Sequence, residues 1–339
     1  VKRRAALIAL GASALAACQP VSQKAGAPDL GFAGPRLAPD ALVSFDGTRL
    51  PMHVWMAHDA SGAAVEPWAV VVGLHGMNDY AEAFSLAGPA WAAQGITTYA
   101  YDQRGFGRAP DRGVWGGEAL MVEDLRTALA LARARHPRAI LCVVGESMGG
   151  AVAISAFASD NPPIADRVIL AAPAVWGWDA QAVPNRVVLW LAAHLAPSYK
   201  LVTPGWLARR IRASDNIAEL RRMDLDRNMI FDTRIDTIYG LVGLMQRARQ
   251  DLGRVRAPVL FLYGAKDQII PKGAAVYAAR ELKPTDRSAF YPNGYHLLTR
   301  DLDRRLVWDD IIGFIRDPSA PLPSGAPPIP RRRRRPTRR

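Results

Sequence analysis

Short runs rich in apolar and β-branched residues alternate along this chain with segments whose apolar positions recur at helical spacing. Runs at 69–74, 96–101, 139–144, 168–172, 258–263 and 287–291 are each five or six residues long and bounded by turn-forming residues, as in strands covered on both faces. Helices are predicted between them, near Glu82 to Ala93, from about Gly117 to Arg135 and from Ala151 to Ala158. The second carries Leu120, Leu125, Ala128, Leu129 and Ala132 as an apolar stripe. Earlier in the chain, Leu42 to Phe45 and Leu50 to Met56 flank the turn signal Asp46-Gly47-Thr48 and read as a hairpin. Strands alternating with helices predict an α/β fold, a mostly parallel sheet with helices on both faces.

The alternation breaks between Pro173 and about Gly253, where no strand-like run is found and four of the nine tryptophans fall: Trp176, Trp178, Trp190 and Trp206. This segment predicts an inserted helical cap. Within it Arg186 to Leu195 is apolar almost all round, so protein, substrate or a membrane surface must cover it. The cap either has a small core of its own or lends side chains such as Trp190 to an acyl pocket. The division expected is an export signal over 1–17, a flexible tether over 18–40 and an α/β domain over 41–316 with its cap at about 173–253. A disordered Pro/Arg-rich tail over 317–339 completes it.

Charge changes this picture only at the ends. The 339 residues carry a formal +12, of which Lys2, Arg3 and Arg4 supply three and the arginines of 331–339 supply seven. The domain between is nearly neutral, which excludes a nucleic-acid-binding face on the fold. Basic residues 2–4 precede the apolar run Ala5 to Ala17, too short to span a bilayer as a mature helix but suited to a secretion signal. Leu15-Ala16-Ala17-Cys18 resembles a bacterial lipobox. Cys18 is therefore expected to carry a diacylglycerol group and to hold the protein to a membrane, although Ala14-Leu15-Ala16 also fits an ordinary cleavage site. Gln19 after the cysteine, by resemblance to diderm lipoproteins, implies the outer membrane. The arginine tail of such a protein meets lipid phosphates or merely adds solubility. Cys142, inside a predicted strand, reads as a small core residue.

The chemistry centres on Gly145-Glu146-Ser147-Met148-Gly149, which follows one predicted strand and precedes a helix. That context makes it a nucleophile elbow, in which the serine stands on a strained turn above the sheet and the glycines give room for close packing. A serine nucleophile needs a base, and the base an orienting acid, on loops after later strands. Asp267 follows the strand at 258–263 and His296 the one at 287–291, in the chain order Ser, Asp, His. Asp179, beyond the strand at 168–172, is a rival for the acid. His75 precedes the nucleophile and is expected to shape a loop. His53, His58, His136 and His194 lack a partner pattern. No cysteine or histidine cluster has metal-ligand spacing, so neither metal nor cofactor is expected.

His75-Gly76-Met77-Asn78-Asp79, Tyr101-Asp102-Gln103-Arg104-Gly105-Phe106-Gly107 and Gly145 to Gly150 together resemble the corresponding segments of the monoacylglycerol lipase and lysophospholipase group, also described as serine-aminopeptidase-like hydrolases. The resemblance runs from about Val43 to Ile315 and implies the α/β-hydrolase fold. It implies Ser147 as nucleophile, His296 as base and then acid, Asp267 as orienter of the imidazole, and the backbone N–H groups of Met77 and Met148 as the oxyanion hole. The implied reaction is hydrolysis of a carboxylic ester, with single-chain lipids as substrates. A peptidase acting on N-terminal residues is the enzymatic alternative; it needs acidic cap residues to bind an amine, and Asp215, Glu219, Asp224 and Asp226 are the candidates. A non-catalytic envelope scaffold has no need of all three residues.

Overall fold

A computed structural model describes residues 19–208 and 210–330. Cys18 and the arginines of 331–339 lie outside the described residues. Nine strands form one sheet in the order β1-β2-β3-β5-β4-β6-β7-β10-β11. Strands β1 (Arg36–Ala38), β2 (Ala41–Val43) and β3 (Arg49–Trp55) form an antiparallel edge, and β3 pairs antiparallel with β5 (Ile96–Tyr101). From β5 onward the neighbours β4 (Ala69–Leu74), β6 (Ile140–Glu146), β7 (Arg167–Ala171), β10 (Val259–Gly264) and β11 (Arg287–Tyr291) are all parallel. The expected α/β-hydrolase architecture is present.

Alternate residues of the buried strands feed two cores, which is why these strands read as unbroken apolar runs. Val70, Val72, Leu141 and Val143 join the layer with α2 (Glu118–Arg135) and α3 (Met148–Ala158). Val71, Cys142, Val144 and Leu262 face α1 (Ala87–Ala92) and α9 (Arg304–Arg316) on the other side. The Cys142 thiol is free, and burial pushes its pKa up, which makes it an inert core residue. Between β10 and β11 lies α8 (Lys272–Ala278).

The insertion holds α4 (Val183–Leu195), a short α5 (Gly205–Ala208), α6 (Ile217–Leu225) and α7 (Ile235–Asp251). Its last helix belongs with the body: Val242, Met245 and Ala248 of α7 are buried in the same core as Val152 of α3. Contrary to the expectation of no strand, β8 (Lys200–Val202) and β9 (Asp232–Arg234) pair antiparallel as a separate ribbon. Strands of three residues, exposed in β8 and half-buried in β9, are too short to show an apolar period. Much of the apolar surface of α4 is left uncovered by the described residues, although Leu189 packs against the core. Val183, Val187, Val188, Trp190, Leu191 and Leu195 are exposed, and Ala193 alone is buried.

Both flanking segments correct the sequence expectation where they are described. Residues 22–26 of the supposed tether are pinned, since Gln23 N–H donates to Trp115 O at 2.8 Å and Gly26 N–H to the Asp46 carboxylate at 2.7 Å. Residues 317–330, expected to be unfolded, cover the open edge of the sheet. Phe290 N–H in β11 donates to Pro327 O at 2.8 Å, Ser324 donates through N–H and Oγ to Asp310, and Ile329 is buried. Prolines cannot donate to a ladder but can accept from one, so a proline-rich strip can close an edge strand without extending the sheet.

Candidate active site

The sheet order reverses around β4, with β5 on one side and β6 on the other, and a crevice opens at the carboxyl ends of strands at such a point. The loop after β4 carries His75 to Asp79, and the turn after β6 carries Ser147. Ser147 has φ +50° and ψ −112°, a strained conformation for a residue with a side chain, typically worth about 1–3 kcal/mol. Its backbone is held on both sides: Ser147 N–H donates to Ala171 O at 3.0 Å, and Ser147 O accepts from Ala174 N–H at 2.9 Å. A Cβ at Gly149 would fall 2.3 Å from Leu74 O, and one at Gly145 2.6 Å from the Gly149 carbonyl, so neither position admits a larger residue. Ser147 as a whole residue is 9% exposed.

His296 and Asp267 come together from the loops after β11 and β10. His296 Nδ1 lies 2.8 Å from Asp267 Oδ2. Asp267 Oδ1 accepts the N–H groups of Ile269 and Ile270 at 2.8 and 2.9 Å, which aims Oδ2 at the imidazole. Burial works against a charged His296, but the Asp267 carboxylate outweighs it through charge and hydrogen bond; Glu146 adds to the rise, Arg300 opposes it, and the pKa ends above the ordinary histidine value. No hydrogen bond links Ser147 Oγ to the His296 ring in this structure. Asp179 lies elsewhere, exposed and bonded to Gln246, with its N–H donating to Gln246 Oε1 at 2.9 Å.

The loop after β4 lies against the serine: a Cβ on Gly76 would come within 3.3 Å of Ser147 Cβ. Met77 is the next residue. The Met148 N–H is in the first turn of α3, where no intrahelical acceptor exists. His75 is wholly buried and has a fixed role in this loop. Its Nε2 accepts from Gln103 N–H at 2.8 Å, so Nδ1 carries the proton and donates to Gly76 O at 2.7 Å. Burial holds its pKa below the usual value, which keeps the ring neutral. The loop after β5 is structural as well. Asp102 accepts Ala81 N–H and Arg108 N–H, and buried Arg104 pairs with Asp46 and Asp124, tying the opening hairpin to α2.

Sequence reasoning missed the charged cluster beneath the site. Arg300 is fully buried, hydrogen-bonds Glu146 within the elbow, and lies 2.7 Å from Asp79 and 3.9 Å from Glu219 of α6. A charged residue inside the elbow was the only signal in the sequence. Of the four cap acids, Glu219 pairs with Arg222, Asp226 with Arg222 and Tyr80, and Asp215 accepts Leu302 N–H, which leaves only exposed Asp224 without such a partner among the described residues. Outside this cluster an apolar groove of about 510 Å³ runs along the cap, lined by Trp178, Arg186, Val187, Trp190, Leu191 and Tyr239.

Residues 65–303 match the family model described as serine aminopeptidase, S33. A monoacylglycerol lipase of Mycolicibacterium smegmatis is 27% identical over 273 residues, covering 79% of this chain and 93% of that protein. A monoglyceride lipase of Rattus norvegicus is 25% identical over 77% of this chain and 84% of its own length. In fold, the chain is similar to a soluble variant of the monoglyceride lipase from Saccharomyces cerevisiae solved with a substrate analogue, with a TM-score of 0.68 at 17% identity over 89% of this chain and 99% of that one. A carboxyl esterase from Bacillus coagulans superposes with a TM-score of 0.67 at 20% identity, over 82% and 97% of the two chains.

Proposed function

On the premise that the chain belongs to the serine aminopeptidase S33 family of α/β-hydrolases, we propose that it hydrolyses carboxylic esters of single-chain lipids, monoacylglycerols or lysophospholipids, through an acyl-enzyme. The observation that carries this reading is the 2.8 Å bond between His296 Nδ1 and an Asp267 carboxylate already oriented by two backbone amides, on loops beside a serine at a strained elbow. His296 Nε2 takes the proton of Ser147 Oγ as that oxygen bonds to the ester carbonyl carbon. The oxyanion forms against the N–H groups of Met77 and Met148, each worth roughly 3–4 kcal/mol of transition-state stabilisation. His296 then gives its proton to the departing alkoxide, and water, activated by the same imidazole, releases the acid. The Ser147 to His296 bond belongs to the substrate complex, where such bonds tighten.

The relatives named as monoacylglycerol and monoglyceride lipases support a single-chain lipid ester. So does the uncovered apolar surface of α4 with its adjoining groove. The state of the cap acids weighs against a peptidase, because three of the four candidates for holding a substrate amine are already bonded within the protein. Hydrolysis rates on p-nitrophenyl esters of graded chain length, beside a panel of aminoacyl anilides, test the reading. Esters should be preferred, and preference for the anilides would overturn it. We also propose that Cys18 is diacylated and holds the enzyme to the outer membrane, since two chains suffice for stable anchoring. In a diderm bacterium the wild type should take up labelled palmitate and sediment with envelope membranes. Cys18→Ala should do neither.

A further inference from the structure

Arg300 is a fully buried charge near the site, and its partners come from three separate segments of the chain. It lies four residues after His296 on the same loop. Its Nη2 hydrogen-bonds Glu146, the residue before Ser147, and lies 2.7 Å from Asp79, two residues after Met77. Its Nη1 faces Met223 at 3.6 Å and Glu219 at 3.9 Å, both on cap helix α6. A ring of bonds closes from there, because Glu219 pairs with Arg222, Arg222 with Asp226, and Asp226 accepts the hydroxyl of Tyr80, the residue after Asp79. The His296 loop is bound to the elbow and to the cap a second time. Thr299 Oγ1 donates to the free oxygen of Glu146 at 3.1 Å, and His296 and Leu297 N–H both donate to Ala213 O in the cap.

A buried charge with its partners gives up stability relative to apolar side chains of the same volume, so packing alone does not account for this one. What the contacts share is what they join: Glu146 and Asp79 lie within two residues of Ser147 and Met77, and Glu219 and Met223 belong to the cap. We propose that Arg300 is a positioning residue, whose guanidinium ties the oxyanion loop through Asp79, the elbow through Glu146 and the cap through Glu219 into one frame for Ser147 and His296. The proposal rests on the esterase reading above and adds a residue to it. The frame also sets the field at the imidazole, which faces Asp267 from the loop after β10, Glu146 from β6 and Arg300 from its own loop.

Three variants test this: Arg300→Lys keeps the charge and loses the fork, Arg300→Met loses both, and Glu146→Gln keeps the shape without the charge. With p-nitrophenyl butyrate, Arg300→Lys and Glu146→Gln should lower kcat by roughly ten- to a hundred-fold, as expected of a small displacement, with KM within about two-fold. The rate of fluorophosphonate labelling of Ser147 should fall in step. The acid limb of the pH profile should move up in Arg300→Met, move down in Glu146→Gln and stay in place in Arg300→Lys. A merely structural role, read by thermal unfolding, does not move the limbs in opposite directions. If Arg300→Met does not fold, the other two variants decide. Wild-type kcat in Arg300→Lys, a loss confined to KM, or limbs that move together would overturn the proposal while leaving the esterase reading intact. A wild type that neither hydrolyses esters nor labels at Ser147 would defeat that reading, and this proposal with it.

Discussion

The body and the cap of this molecule are built on opposite principles. In the body, β4 and β10 are buried along their whole length and β6 along all but its first residue, and the backbone of Ser147 and the carboxylate of Asp267 are each fixed by more than one hydrogen bond. In the cap, α4 exposes six large apolar side chains and its companion ribbon is only three residues per strand. Chemistry needs atoms held to fractions of an ångström, whereas accommodating a flexible acyl chain needs apolar surface and little else. Substitutions at the body's reacting groups should therefore act on turnover for every ester, and substitutions on the exposed face of α4 on the binding of long chains.

The largest effect should come from removing the proposed nucleophile. Ser147→Ala is expected to fold and to lose activity by on the order of 10⁴-fold or more on acetyl and long-chain esters alike. Chain-length-dependent loss would break the division between body and cap. Asp267→Asn should follow, with kcat down by about 10³- to 10⁴-fold because the amide holds the wrong imidazole tautomer, while Asp179→Asn stays near wild type. A damaging Asp179 variant beside a healthy Asp267 variant would reassign the acid. Arg104→Met sharpens the contrast within the body. It strands the buried carboxylates of Asp46 and Asp124 and should cost about 3–5 kcal/mol of stability in denaturant, with kcat of the folded fraction little changed.

Smaller effects belong to the cap and to pH. Trp190→Ala should raise KM for dodecanoyl esters by roughly ten-fold, about 1.4 kcal/mol of lost apolar contact, and leave acetyl esters unaffected. Equal loss at all lengths would make Trp190 a structural part of the cap. The acid limb of kcat/KM should rise through an apparent pKa above the ordinary histidine value of about 6.5, since the base must be neutral and the folded protein favours its charged form. The same shift contributes stability that is complete below the unfolded pKa and is lost as pH rises through the folded one. A limb below 6.5 would contradict the part given to Asp267.

The body was legible in the sequence because its constraints are periodic or local. Two-sided burial makes unbroken apolar runs, and the elbow needs glycines at fixed offsets, so strands such as β4 and β6 and the approach of His296 to Asp267 could be expected from spacing. The cluster around Arg300 could not, because Asp79, Glu146, Glu219 and Arg300 are joined only through space and leave no pattern along the chain. The flanks misled for a related reason. Proline-rich composition argues against a helix or a central strand, yet residues 317–330 are held by scattered carbonyl, amide and hydroxyl bonds to β11 and α9, which composition does not record.

The account stands on Ser147 being a nucleophile activated by His296, and one measurement reaches that claim without assuming a substrate. The protein is incubated with a fluorophosphonate, digested and mapped by mass spectrometry, beside Ser147→Ala and His296→Ala. A single adduct on Ser147, absent from the first variant and strongly slowed in the second, is the predicted result. An adduct on another residue, or undiminished labelling of either variant, would contradict it.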